Sequence, residues 1–141
     1  MAVSFVRCVL VASRPGGLVT SAELAPVTAG TDATALPVEV VADRPGRSAT
    51  IVFGDDLSSD AFTGDARHDA FDDAVVQRLR AVGAWVMPRA PAVRALASAG
   101  VAVELLIELW LDQDQLDLHL PVELLAALGA AGVGVYVLSN E

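Results

Sequence analysis

The chain has 141 residues, of which 54% are hydrophobic and only 19% charged, and its 18 acidic side chains against nine basic ones leave a net charge of −9. That length implies one domain, 1–141, with a sizeable core, and the hydrophobic fraction argues against intrinsic disorder. The charge argues against nucleic acid, which needs clustered arginine or lysine, and no apolar stretch approaches the roughly 20 residues that span a bilayer.

Residues Val3–Ala12 form an alternating run that puts Phe5, Arg7, Val9 and Val11 on one face of a first strand. A secretory leader is the weaker reading: there is no basic opening segment and Arg7 interrupts the apolar run, so the cytoplasm is the expected location. The only cysteine, Cys8, lies in this strand, cannot form an intrachain disulfide, and reads as an inert buried thiol. Arg14-Pro15-Gly16-Gly17 breaks the strand. Thr20 or Ser21 is placed to cap a short helix through Val27, and Thr28–Ala35 is a loop of small and polar residues. Leu36–Ala42 and Ser48–Phe53 read as an antiparallel hairpin turned by Pro45-Gly46.

Gly54–Asp69 has no periodicity and reads as a loop. From Asp69, apolar residues recur at Phe71, Val75, Leu79 and Val82 as one helical stripe, with acids at its start and Arg78 and Arg80 near an end set by Gly83. A second helix is expected over Pro91–Ala99. The clearest local signal follows. Val101, Val103, Leu105, Ile107, Leu109 and Leu111 alternate with Ala102, Glu104, Leu106, Glu108 and Trp110, giving a strand with one core face and one mixed face. Asp112–Gln115 then reads as a turn into a partner strand, Leu116–Leu120, that sets Trp110 beside Asp117 and Glu108 beside His119. Pro121 opens a helix with Leu124, Leu125 and Leu128 inward, ended by Gly129 or Gly132. Val133–Leu138 is apolar on both faces and reads as an interior strand.

Four features of this C-terminal half form a recognisable set: Trp110 near the end of an apolar strand, the Asp112–Asp114 turn, the helix start Leu120-Pro-Val-Glu-Leu-Leu125, and Val135-Tyr-Val137. In these it resembles the bacterial domain of unknown function family 4279. The N-terminal half departs from that family, which often has a Gly-Trp pair entering a middle strand; here Trp85 and Trp110 lie elsewhere. The resemblance implies a small α+β sheet domain with no established activity or catalytic residues.

Motifs for chemistry are sparse. Asp112–Glu123 has the length of a calcium-binding loop, but Leu116 stands at a ligand position and Asp117 where the sharp turn takes glycine. The acidic region Asp55–Asp73 offers carboxylates without a ligand spacing, and His68 with Asp72 supplies only two zinc ligands. Gly132-Val-Gly134 enters a strand from a helix, the reverse of a dinucleotide fingerprint. No cofactor is implied.

Ala95–Glu141 holds seven carboxylates and no arginine or lysine, so the mixed strand face reads as an unneutralised acidic surface carrying a tryptophan. The expectation is therefore an α+β, two-layer domain, a mainly antiparallel sheet with helices packed on one face. Its expected role is that of a non-enzymatic module binding a basic protein surface through Glu104, Glu108, Trp110, Asp117 and His119, an immunity-type inhibitor being one concrete form. The alternative is a small-molecule or metal-ion binder, or an enzyme, using Glu108/His119 or the Asp55–Asp73 loop. A mean hydropathy of +0.53 with few charges also suggests an apolar surface covered in a homodimer.

Overall fold

The computed structural model describes residues 3–29, 36–64, 67–111 and 118–140. In chain order these form β1 (Val3–Ser13), α1 (Ser21–Thr28), β2 (Val38–Val41), β3 (Ala49–Phe53), β4 (Leu57–Ser58), α2 (Arg67–Val86), α3 (Ala90–Ser98), β5 (Ala102–Leu111), α4 (Val122–Ala131) and β6 (Gly134–Asn140). The strands make one sheet in the order β2-β3-β1-β5-β6, with β4 also on β1. Every pairing is antiparallel except β5 with β6, which the crossover through α4 makes parallel. The helices cover one face of this sheet, as expected of a two-layer α+β domain.

Period-two alternation decides which side chains enter the core. Val6, Cys8, Leu10 and Ala12 of β1 lie beside Leu109, Ile107, Leu105 and Val103 of β5. All but Val103, which is half-buried and packs against it, belong to one cluster that also takes Phe71, Val75, Leu79 and Val82 from α2, and Leu124, Ala127, Leu128 and Ala131 from α4. Burial pushes the Cys8 thiol up to about 12, which keeps it protonated and unreactive. The short α1 starts with a capping box. The Thr20 hydroxyl accepts from the Glu23 amide at 3.1 Å and the Glu23 carboxylate accepts from the Thr20 amide at 3.3 Å.

Several expectations need correction. Gly83 does not stop the helix expected from Asp69, since α2 runs on to Val86. A Cβ at Gly83 would lie 2.9 Å from the Leu124 Cα, so glycine there permits the close approach of α2 and α4. Arg78 consequently sits inside the helix, not at its end. Leu125 is exposed, because Leu124, Ala127, Leu128 and Ala131 already fill the inward face of α4. Gly132, at φ 70°, ends that helix. The region from Gly54 contains β4 and a 3-10 turn, Ser59–Ala61. Residues 118–120 are not a strand: β5 is flanked by β1 and β6, so no return strand lies beside it. Finally, β6 is an edge strand and not an interior one.

Candidate functional site

The residues that alternate with the core positions form a second face, on which none of the described helices packs. Register fixes its map. Across β1 and β5, Phe5 lies opposite Trp110, Arg7 opposite Glu108, Val9 opposite Leu106 and Val11 opposite Glu104. On the far side of β5, Leu106 lies beside Tyr136, Glu108 beside Leu138 and Trp110 beside Asn140. On the other side of β1, Val9 and Val11 meet Val52 and Thr50 of β3. Trp110 is 46% exposed and Tyr136 53%, large values for aromatic side chains on an ordered sheet.

At the centre stands Arg7. Its Nε and Nη2 donate to the two carboxylate oxygens of Asp56 at 2.8 and 2.7 Å, a bidentate pair. Its Nη1 lies 3.7 Å from a Glu108 carboxylate oxygen, and its guanidinium lies 5.7 Å from the Phe5 ring centroid. The paired hydrogen bonds from Arg7 hold the Asp56 carboxyl below the usual carboxylate range, and the same bonds raise Arg7 above its ordinary value.

Asp56 reaches this position because the lane beside β1 is broken. β3 pairs with Val9–Ala12 of β1 and β4 with Phe5 and Val6, and Gly54 turns the chain between them at φ 68°. Arg78 of α2 pins the break by donating to the carbonyls of Phe53 at 3.0 Å and Asp55 at 2.6 Å. A side chain at Gly54 would meet that guanidinium at about 3 Å, so positive φ and crowding both require glycine.

Between β2 and β5 this face is concave, with a volume of about 570 Å³. Val9, Val11, Val52 and Leu106 floor it, and Arg7, Arg44, Glu39, Asp55, Asp56 and Glu108 rim it. Three of those rim groups are tied to each other, Arg7 with Asp56 and Glu108. Among the described residues the buried Arg44 Nε has no hydrogen-bond partner, while its Nη2 donates to the Ser48 carbonyl at 3.0 Å.

The sequence-predicted residues divide cleanly. Glu104, Glu108 and Trp110 share the open face at alternate positions of β5. Asp117 lies outside the described residues. His119 is exposed, in a segment that does not pair with β5, so the expected Glu108–His119 neighbourhood is corrected: Arg7 and Leu138 occupy the positions beside Glu108. The expectation of an unneutralised acidic face is corrected for Glu108 as well, because a charge from β1 lies beside it. The Asp55–Asp73 carboxylates do not gather. Asp55 and Asp56 sit at the strand break, Asp60 in the 3-10 turn, and Asp69, Asp72 and Asp73 on α2; Asp65 and the side chain of His68 lie outside the described residues. Among the described residues, no group of three or more histidine, cysteine or acidic side chains is placed to hold a metal ion, and no helix is long and apolar enough to cross a membrane.

Sequence reasoning missed the Arg7–Asp56 pair, although a lone arginine inside an apolar strand was its visible signal. No family model, curated protein or solved structure matches the chain.

Proposed function

We propose that this chain is a non-enzymatic protein-binding module that uses the open sheet face to hold a basic partner, an immunity-type inhibitor of a basic toxin being one concrete form. The observation that carries the reading is the asymmetry of the sheet. Helices cover one face, while the other presents Trp110 and Tyr136 half-exposed, with Glu104 and Glu108 on β5, the strand of Trp110 and the neighbour of the strand that carries Tyr136. Aromatic anchors within a polar surround are the usual make-up of an energetically important contact. The net charge of −9 favours fast encounter with a positive surface. Arg7 contributes by tying Asp56 and Glu108 in place, so that this part of the face is ordered before a partner arrives.

The test is kinetic. With a partner captured from the native host, Glu104→Gln should slow association at low salt and have a smaller effect at high salt, since exposed charges are screened beyond roughly 8–10 Å at physiological ionic strength. Trp110→Ala should act chiefly by speeding dissociation. Unchanged kinetics in both variants would remove the proposal.

A second reading rests on the concavity. Its volume of about 570 Å³ lies within the range of small-molecule sites, and its apolar floor and charged rim suit an amphipathic ligand. Thermal stabilisation by such a ligand, lost on Val52→Asp and kept on Trp110→Ala, would favour that reading over the module.

A further inference from the structure

The two edges of the sheet are built differently. β2, at one end, has only four residues, follows Pro37, and carries the exposed Glu39; Arg44 and Pro45 come soon after it. A short strand with charge and proline nearby is how natural sheets keep an edge from pairing with another chain. β6, at the other end, has seven residues, Gly134-Val-Tyr-Val-Leu-Ser-Asn140, with no charge and no proline. It follows β5 in unbroken register, so no bulge turns its outer edge away. Among the described residues no strand pairs with that outer edge. Three consecutive large apolar side chains on it, Tyr136, Val137 and Leu138, are 53%, 37% and 38% exposed.

We infer that β6 is the seam of a homodimer, in which two copies pair their β6 strands antiparallel across a twofold axis at Val137. The occupant is a second copy because the strand is self-complementary. In the register that pairs all seven residues, Tyr136 meets the partner's Leu138 and Leu138 meets the partner's Tyr136 on the open face. Val137 meets the partner's Val137 on the helix face, and Val135 meets the partner's Ser139. Aromatic and β-branched cross-strand pairs of this kind stabilise sheets. Charge points to the same edge. Two chains of net charge −9 repel each other, and this seven-residue edge brings no charged side chain opposite another, whereas pairing through β2 would bring Glu39 to the seam. The product is one continuous sheet of twelve strands, in the order β2-β3-β1-β5-β6 and its reverse with each β4 also on its β1, and with a single open face running across both copies. A seven-residue ladder with three apolar side chains lies at the small end of specific interfaces, below about 1,200 Å² in total. The dimer is therefore reversible, with a dissociation constant in the micromolar range, on the order of that expected for transient associations of this size.

The experiment is sedimentation of the purified full chain from about 1 to about 100 μM, a range chosen to bracket a micromolar constant. The parent should move from 14.6 kDa toward twice that mass. Tyr136→Lys and Leu138→Glu, both at exposed positions, should each weaken self-association at least tenfold with circular dichroism unchanged. Mixing the two variants should restore a heterodimer, because one of its cross-strand pairs then carries opposite charges and the other is native. Should either variant fail to fold, hydrogen exchange on the parent replaces it, with protection of amides in 134–140 expected to rise with concentration. A parent that stays monomeric throughout overturns the inference, including one whose β6 pairs instead with an added peptide strand. So does a dimer that both variants leave intact, since the copies would then meet elsewhere.

Discussion

The two faces of one sheet carry the contrast that organises this molecule. The same two strands, β1 and β5, send Val6, Cys8, Leu10, Leu105, Ile107 and Leu109 to the helix side, where none is more than 2% exposed. They send Arg7, Leu106, Glu104, Glu108 and Trp110 to the other side, where the Arg7 ion pairs, the exposed Glu104 and a half-exposed tryptophan share the surface. The helix side is explained by burial alone. The open side is not, because burying the same aromatic surface under another helix would have stabilised the fold further, at about 25 cal/mol per Å². On the proposed reading, stability and recognition are divided between alternate residues of the same strands.

That division can be broken or sharpened by substitution. The largest expected effect is Leu109→Ala on the helix side, a loss of about 2–5 kcal/mol in denaturant titration, because it opens a cavity in a fully packed core. Leu106→Ala, three positions away on β5 and on the open face, should lose clearly less; equal losses would erase the distinction between the faces. Next comes Gly83→Ala. Helix propensity alone would favour alanine by up to about 1 kcal/mol. The added methyl meets the α4 backbone at 2.9 Å, so net destabilisation is expected, with overpacking costing about 1–3 kcal/mol. A net gain would mean the helix layer is looser than described.

A smaller effect is a pH dependence. Arg14 donates to both Glu23 carboxylate oxygens, at 2.9 and 2.5 Å, and with the Thr20 amide it lowers the Glu23 carboxyl to about 2. Arg7 lowers Asp56 in the same direction. A carboxyl whose folded value is depressed contributes stability that is complete above its unfolded value near 4 and is lost as pH falls toward the folded value. Stability should therefore decline between about pH 4.5 and 2 in part through these groups. Glu23→Gln should flatten that decline while lowering stability at pH 7. The smallest effect is Glu104→Gln, expected within about 0.5 kcal/mol of the parent because the side chain is exposed.

How much of this was legible in sequence follows from range. Glu104, Glu108 and Trp110 share a face because strand alternation is local, and ten residues suffice to read it. The neighbours of β5 were not readable, because nothing local distinguishes a return strand at Leu116–Leu120 from β1, almost a hundred residues upstream, or β6, which arrives through a helix. Arg7 was visible as an exception in an apolar strand, while its partner Asp56 depended on a strand break held by Arg78 from a distant helix. The pattern of β6 misled, since an interior strand was expected and an edge strand is found. Apolar residues on both faces speak to burial above and below a strand, and not to whether another strand lies on each side of it, so an edge strand can carry the same pattern. Gly83 shows the same ambiguity on a helix, where a glycine serves equally as a stop or as a point of close contact.

The central claim is that the open face, and not the helix layer, meets the partner. Hydroxyl-radical footprinting of the chain with and without a partner captured from the native host tests it most directly, because it reads side chains on both layers in one experiment. Protection of Trp110 and Leu106 on β5 is expected, with the exposed α4 residues Val122 and Leu125 unchanged. Protection of Val122 and Leu125 with Trp110 still reactive would place the partner on the helices and contradict the account.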